Sequence, residues 1–275
     1  MNLALLISGS GTTAEAVIKA CLSGKLKGIN PTAVIASKVE AGGLEKAKLL
    51  GIKTEVLNPK EFKKTEDFGI MLLNKLKEFK VDLVSQNGWL PKTPLNVIQA
   101  YEGRIINQHP GPLDPGRMWD FGGQGMYGER VMCARLIYCL LCGEDWWTEA
   151  TTHLVTEEYD QGELLRTERM EMGGAIYKIA PAGILRPRWP SGPKNDKIGD
   201  FIKLKPKKLE LMKMTEELQK QLLPLEHKNV IDTLRLFTKS QVVKGFKREK
   251  PLIKEQHVKF VKPAKELAVE IYSKV

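Results

Sequence analysis

The stretch that decides the fold is Leu3–Thr13, LALLISGSGTT, in which five apolar residues run directly into a turn that contains two glycines. A short apolar run bounded by Ser and Gly is typical of a strand that is buried on both faces of a parallel sheet. The residues from Thr13 to about Ser23 then have the spacing of a helix. The chain therefore opens with a strand, a glycine turn and a helix.

The alternation of strands and helices continues to residue 107. Strands at this spacing, separated by helices, imply right-handed βαβ units. We predict an α/β fold with a doubly wound, mostly parallel sheet. The further strands are expected at Pro31–Ser37, Lys53–Leu57, Val81–Ser85 and Arg104–Asn107, and the helices at Gly43–Leu50, Glu66–Phe79 and near Pro94–Ala100.

The second half of the chain is less regular. A loop over Pro110–Gly128 holds six glycines and leads into a helix over Glu129–Leu141. Two paired strands are expected around a turn, and a proline-rich stretch precedes two further helices and a basic tail with a last helix. The paired strands are Thr151–Thr156 and Glu163–Met170, the proline-rich stretch is Ala180–Pro193, the two helices are Lys207–Leu222 and Pro224–Lys239, and the tail starts at Lys247.

The formal net charge of +10 is unevenly distributed. Residues 1–162 carry 18 Lys and Arg against 19 Asp and Glu, whereas residues 163–275 carry 25 against 14. A basic half can bind nucleic acid, attract an anionic small substrate or form a solvated surface. Its lysines alternate with Glu and Leu at helical spacing, which favours a solvated surface, and no nucleic-acid partner is predicted.

Neither a membrane segment nor a metal site is expected. The longest apolar run, Leu136–Cys142, is far shorter than the roughly 20 residues that span a bilayer, so a cytoplasmic location is predicted. Cys139 and Cys142 form a C-x-x-C pattern, which can indicate zinc or redox chemistry. The pattern occurs once, without clustered histidines, in an apolar helical run, so we interpret the cysteines as buried structural thiols.

The glycine turn is the first candidate site. Glycines after a strand allow a tight turn, and the following helix points its free amides and the positive end of its dipole toward that turn. Thr12 and Thr13 add hydroxyl donors. The turn matches neither a dinucleotide fingerprint nor a phosphate-binding P-loop. It therefore predicts an anion site but does not identify the anion.

A second candidate site follows the strand that ends near residue 107. Asn107 and His109 lie two residues apart, so both side chains emerge on one face at the carboxyl edge of the sheet. An amide beside an imidazole can stabilise an oxyanion and handle its proton. Asp160, in the turn before Gly162, could complete the set, because a nearby carboxylate favours the imidazolium form.

Three blocks of the sequence together resemble the phosphoribosylglycinamide formyltransferase family. They are residues 5–13, LLISGSGTT, residues 107–110, NQHP, and residues 152–162, THLVTEEYDQG, and the likeness resumes at residues 225–227, LEH. Members of this family transfer the formyl group of 10-formyltetrahydrofolate to the amine of glycinamide ribonucleotide in purine synthesis. The resemblance implies a formyltransferase domain over residues 1–240, with insertions near residues 111–128 and 174–207, and a helical, basic carboxyl-terminal extension over residues 241–275.

The resemblance also implies a role for each matching residue. Asn107, His109 and Asp160 would be the catalytic residues. The remaining residues would bind substrates: Gly11, Thr12 and Thr13 the phosphate, Glu226 the ribose hydroxyls, and Trp89, Leu90, Thr156, Glu157, Glu158 and Tyr159 the folate. 10-Formyltetrahydrofolate is thus the implied co-substrate and glycinamide ribonucleotide the implied acceptor.

Other functions stay open at this point. The unusual loop over residues 111–128 leaves the acceptor less certain than the donor, and an amino-sugar nucleotide is an alternative acceptor. A non-catalytic RNA-binding protein is the alternative from a different class, although no aromatic-rich RNA motif accompanies the basic residues.

Overall fold

The computed structural model describes residues 1–173, 205–240 and 243–273, and all structural statements concern these residues. Strands and helices alternate through the first 109 residues, as the sequence predicts. The strands are β1 (Asn2–Ile7), β2 (Asn30–Ala36), β3 (Lys53–Val56), β4 (Leu83–Asn87), β5 (Ile105–His109), β6 (Trp147–Leu154) and β7 (Leu164–Glu171). The helices are α1 (Thr12–Leu22), α2 (Gly43–Leu49), α3 (Thr65–Glu78), α4 (Leu95–Ala100), α5 (Glu129–Cys142), α6 (Lys205–Lys239) and α7 (Val258–Tyr272), with short 3₁₀ turns at Pro59–Glu61 and Glu255–His257.

The described residues form one seven-stranded sheet in the order β3-β2-β1-β4-β5-β6-β7. The first five strands pair in parallel, and β6 pairs with β5 in the antiparallel direction. From β1 the chain first adds β2 and β3 on one side of the sheet. It then adds β4 and β5 on the other side, which is the doubly wound arrangement. The predicted α/β class with a mostly parallel sheet is therefore confirmed.

The described chain divides into two compact units. Unit 1 consists of Met1–His109, Thr151–Thr167 and Glu226–Lys247, and unit 2 consists of Pro110–Ala150, Glu168–Leu225 and Arg248–Val275. These divisions differ from the predicted boundary at residue 240, and the predicted domain ranges stay predictions. The proline-rich stretch and most of the insertion predicted at 174–207 lie outside the described residues.

Unit 1 has an apolar cluster on each side of its parallel strands. Leu3, Leu5 and Ile7 contribute to one cluster, and Ala4 and Leu6 to the other. All five residues are fully buried, as expected for a strand covered on both faces. Burial on both faces of β1 explains why the opening stretch is one continuous apolar run.

Unit 2 has its own core, built mainly by α5, α7 and the first part of α6. A buried arginine, Arg135, lies in this core with its guanidinium over the rings of Phe121, Tyr138 and Trp147. Its Nε donates to the carbonyl of Trp147 at 2.7 Å. Such a charge is tolerated because aromatic faces and carbonyl oxygens replace its water.

Two buried aspartates stabilise the glycine-rich loop over residues 111–128. Asp114 and Asp120 are at most 4% exposed, and both carboxylates accept hydrogen bonds from backbone amides. The amide donors are those of Asp114, Gly122 and Leu252. The loop is therefore an ordered part of unit 2.

Three expectations for the elements need correction. Residues 205–239 form one helix through Pro224 and not two helices, β4 begins at Leu83 and not at Val81, and β6 begins at Trp147, four residues before the predicted Thr151. The predicted last helix is confirmed as α7. No helix of the described ranges is both long and apolar enough to cross a membrane.

Candidate active site

The three predicted catalytic residues come together at the carboxyl edge of the sheet in unit 1. Asn107 Nδ2 lies 3.4 Å from Asp160 Oδ1, and His109 Nδ1 lies 3.7 Å from Asp160 Oδ2. His109 is 3% exposed and Asp160 is 8% exposed. The site therefore presents an amide donor and an imidazole beside one carboxylate.

The turn that carries Asp160 has a demanding backbone. Asp160 adopts a left-handed conformation with φ of 59°, which Asp tolerates better than most residues. Gly162 follows two residues later, and a Cβ at this position would lie 1.7 Å from the carbonyl oxygen of Leu154. Only glycine permits this approach, so Gly162 fixes the turn that places the carboxylate.

A fourth polar residue, His153, completes the cluster and was not predicted as a site residue. It lies opposite Asn107 in the pairing of β5 with β6. Its Nε2 is 3.1 Å from Asn107 Nδ2 and 3.3 Å from Asp160 Oδ1, and its Nδ1 is 2.8 Å from the carbonyl oxygen of Leu154. With a proton on Nδ1 donated to that carbonyl, Nε2 is the ring nitrogen that can accept a hydrogen bond from the Asn107 amide.

Asp160 therefore has a different neighbour at each carboxylate oxygen. Oδ2 faces His109, whereas Oδ1 faces Asn107 and His153. This arrangement fixes the orientation of the carboxylate and of the amide. No local pattern in the sequence singles out His153, because its place in the site depends on the register in which β6 pairs with β5.

The glycine turn lies at the start of α1, as predicted. Gly11 is the N-cap residue of α1 and has φ of 64°. No side-chain hydrogen bond caps the first amides of this helix. A Cβ at Gly11 would lie 2.6 Å from the Cα of Gly43. Gly11 is thus required by a close approach of two backbone segments, a structural role independent of any ligand. Thr12 is partly exposed and Thr13 is buried.

The residue predicted to bind ribose is in α6. Glu226 is 4% exposed, and Asn229, one turn later, accepts a hydrogen bond from the Thr152 hydroxyl at 2.5 Å. This bond connects the Glu226 segment of α6 to β6 within unit 1. Burial lowers the pKa of the adjacent His227, and the charge of Lys46 acts in the same direction while that of Glu15 opposes it.

The predicted folate residues differ in exposure. Trp89 is 7% exposed and stacks on Phe68 at 6.3 Å between ring centroids, whereas Leu90 is 43% exposed. In the Asp160 turn, Tyr159 is 37% exposed, and the Thr156 hydroxyl donates to the carbonyl of Glu158 at 3.1 Å. Glu157 and Glu158 are also exposed. Of the two residues in the Trp89–Leu90 segment, Leu90 is the more available to a ligand.

Leu90 also lines a lysine-rich cavity of about 610 Å³ in unit 1. The apolar part of its lining includes Phe62, Phe68 and Leu90, which suits a ligand with an aromatic body. The cavity therefore combines apolar surface with strong positive charge. The charged part of its lining is Lys38, Lys60, Lys63, Lys64 and Lys92, with Glu40 as the one acidic residue in the set.

Comparison with known proteins found similarity to the formyl transferases. Residues 1–116 match the family model described as formyl transferase. Phosphoribosylglycinamide formyltransferase of Escherichia coli is 35% identical over 113 residues, 41% of this chain and 53% of its own length. The chloroplastic enzyme of Vigna unguiculata is 34% identical over 167 residues, 60% of this chain and 49% of its own. The chain resembles phosphoribosylglycinamide formyltransferase, and it spans about half the length of the curated relatives it matches.

Solved structures extend the likeness beyond the matched sequence. Phosphoribosylglycinamide formyltransferase from Brucella melitensis is 25% identical, with a TM-score of 0.60 over 89% of this chain and 98% of its own. Glycinamide ribonucleotide transformylase 1 from Symbiobacterium toebii has a TM-score of 0.63 over 90% of this chain and 94% of its own, at 23% identity, and shares the fold. The resemblance predicted from the three sequence blocks is confirmed.

Proposed function

We propose that this protein transfers the formyl group of 10-formyltetrahydrofolate to the amine of glycinamide ribonucleotide. The observation that carries the proposal is the cluster of Asn107, His109 and Asp160, in which the carboxylate lies 3.4 Å from the amide nitrogen and 3.7 Å from the imidazole. The proposal is supported by the similarity to phosphoribosylglycinamide formyltransferases. It places the chain in purine biosynthesis as a transferase.

The reaction in this proposal has one tetrahedral intermediate. The neutral amine attacks the formyl carbon, and the new C–N bond leaves negative charge on the formyl oxygen. The Asn107 amide and protonated His109 stabilise this oxyanion by hydrogen bonds. When the bond to N10 of the folate breaks, the proton lost by the amine reaches N10 with the help of Asp160 and a water molecule.

His153 is a positioning residue in this mechanism. Its Nε2 lies 3.1 Å from the Asn107 amide nitrogen and 3.3 Å from Asp160 Oδ1, so it fixes the orientation of both groups without contacting the formyl carbon itself. The longer, 3.4 Å contact from Asn107 to Asp160 is the weaker of the amide's two contacts. The amide N–H of Asn107 that points toward Asp160 is therefore the one available to the formyl oxygen.

The experiment that tests the function is formyl transfer from 10-formyltetrahydrofolate to a panel of amines. We expect glycinamide ribonucleotide to be formylated with the highest kcat/KM, above amino-sugar nucleotides. A higher kcat/KM for an amino-sugar nucleotide would make that compound the acceptor in place of glycinamide ribonucleotide. If no amine were formylated and the protein bound RNA tightly with a steep salt dependence, the non-catalytic alternative would be favoured. A cytoplasmic location stays a prediction.

The glycine turn supplies the phosphate site in this proposal. Backbone amides at the start of α1 and the hydroxyls of Thr12 and Thr13 would donate to the phosphate, because a helix start binds anions. Since Gly11 is needed for its close approach to Gly43, its substitution would disturb the fold as well as the site. A change confined to one hydroxyl therefore tests the site more directly.

We expect Thr12→Val to raise the KM for glycinamide ribonucleotide about 10-fold or more, because a hydrogen bond to a charged group contributes about 1.5–3 kcal/mol. The KM for the folate should stay within about twofold, since only the ribonucleotide carries the phosphate. Steady-state kinetics with each substrate varied in turn measures both values. Thr54→Val in β3, which removes the same hydroxyl away from the turn, is the matched control. Equal changes in both KM values would contradict a phosphate site here.

The lysine-rich cavity supplies the folate site. 10-Formyltetrahydrofolate carries glutamate carboxylates, and the five lysines of the cavity are of the complementary charge. We expect Lys92→Glu to raise the KM for the folate several-fold and to flatten its dependence on salt, because an exposed charge pair contributes about 0.2–1 kcal/mol and is screened by ions. Lys27→Glu, an equally exposed change outside the cavity, should leave both unchanged. A similar change in the folate KM of the two variants would show that the cavity is not part of the folate site.

A further inference from the structure

Unit 2 contains a group of potential metal ligands that formyl transfer does not use. Cys142 ends α5, Asp145 lies three residues later in the turn before β6, and His257 precedes α7. Cys142 Sγ, a carboxylate oxygen of Asp145 and a ring nitrogen of His257 all lie within 4.8 Å of one another. Thiolate, carboxylate and imidazole are the ligands that zinc takes in proteins.

The ring of His257 is oriented as in a metal site. The residue is 7% exposed, and its Nε2 lies 2.9 Å from Glu144 Oε1. When Nε2 donates a proton to this carboxylate, Nδ1 is the ring nitrogen left to bind a metal. Zinc-binding histidines typically donate their second ring nitrogen to a carboxylate in this way.

The Nδ1 atom of His257 is buried. Nδ1 has no hydrogen-bond partner among the described residues. It points toward Asp145 Oδ2 at 3.6 Å, a distance too long for a hydrogen bond. Two ligand atoms of a tetrahedral zinc ion, each about 2.0–2.3 Å from the metal, are about 3.3–3.8 Å apart. A shared cation fits this gap and accounts for the unpartnered nitrogen.

The surrounding charges contact other atoms, and the Cys142 thiol donates to the Glu144 carbonyl at 3.1 Å. Lys254 contacts Glu144 Oε2 at 2.8 Å and Asp145 Oδ1 at 3.6 Å, so it lies on the other oxygen of the Asp145 carboxylate. The Asp145 carbonyl accepts from Arg135 and from the Cys139 thiol at 2.6 and 3.2 Å, which fixes the turn. Cys139 therefore holds the turn, and Cys142 is the cysteine whose sulfur lies near the carboxylate and imidazole.

We propose that unit 2 binds one divalent metal ion of the zinc type through Cys142 Sγ, the Asp145 carboxylate and His257 Nδ1. Three protein ligands leave one position of a tetrahedral site for water. The site replaces the interpretation of Cys142 as a purely structural thiol. It is separate from the residues proposed for formyl transfer, all of which are in unit 1.

The test is equilibrium dialysis of the reduced, metal-free full chain against zinc, followed by elemental analysis. We expect one zinc per chain in the unaltered protein and in Cys21→Ser, which removes a comparably half-buried thiol in unit 1. Cys142→Ser and His257→Gln should each lose that ion. With Co²⁺ in place of zinc, a thiolate-to-metal charge-transfer band should appear and should be absent in Cys142→Ser.

Several results would overturn the proposal. They are an unaltered chain that retains no zinc, an unchanged stoichiometry in Cys142→Ser, or cobalt binding without a thiolate band. Circular dichroism of each variant shows whether it is folded. If Cys142→Ser does not fold, His257→Gln and the cobalt spectrum of the unaltered chain still decide the question. Formyl transfer is not needed for any of these measurements, so the outcome is independent of the proposed function.

Discussion

Asp160→Asn is expected to lower kcat for formyl transfer by about 10² to 10⁴, equivalent to roughly 3–5 kcal/mol of barrier. Asn has the same size, but it lacks the charge that favours protonated His109, 3.7 Å away, and it cannot accept the proton of the amine. The two KM values should change little, since neither substrate is bound chiefly through this carboxylate. Single-turnover kinetics with saturating substrates measures the effect directly.

Stability should be almost unaffected by the same change. Asp160 has φ of 59°, a conformation that Asn adopts at least as readily as Asp, so the turn can be retained. Glu163→Gln, which removes an exposed carboxylate just after the turn, is the matched control and should keep normal kcat. A near-normal kcat in Asp160→Asn would remove the catalytic role of this cluster. A variant that unfolds would instead assign Asp160 a structural role.

The parallel part of the fold could be predicted from local sequence. β1 is apolar at every position from Leu3 to Ile7 because apolar clusters cover both of its faces. The same reasoning placed Asn107 and His109 on one face, since alternate residues of a strand point the same way. Local pattern was sufficient here because each signal lies within a few neighbouring residues.

The features that were missed depend on long-range contacts. His153 joins the site because β6 pairs with β5 in a register that puts it opposite Asn107, and a single sequence does not specify that register. α6 passes through Pro224, although proline in a helix costs about 3 kcal/mol. Leu222 before the proline and Val230 after it are fully buried, so packing offsets that cost.

The same distinction applies to the cysteines. The C-x-x-C pattern suggested that Cys139 and Cys142 act together, or that neither has a chemical role. In the structure they differ, because Cys139 is fully buried against the Asp145 carbonyl while Cys142 lies near a carboxylate and an imidazole. His257, which is 115 residues beyond Cys142, could not be associated with it by spacing.

Gly162→Ala is expected to reduce both stability and turnover. The added Cβ would lie 1.7 Å from the Leu154 carbonyl oxygen, far inside contact distance, so the backbone of the Asp160 turn must move. Forcing extra volume into a packed site typically costs about 1–3 kcal/mol, and a shift of about 1 Å in a catalytic group can cost about 10² in rate. Thermal unfolding and kcat measured on the same preparation report the two effects.

Gly42→Ala separates this backbone clash from the general effect of a glycine substitution. Gly42 has φ of −59°, and the nearest atom to a Cβ there is the Ser10 Cα at 4.0 Å, so alanine fits without movement. Its Tm and kcat should stay close to those of the unaltered protein. If Gly162→Ala lowered Tm but kept kcat, the turn would tolerate displacement and Asp160 would not need its present position. If it changed neither, the close approach between Gly162 and Leu154 would not be a feature of the folded chain, because no L-residue side chain can share that space with the carbonyl oxygen.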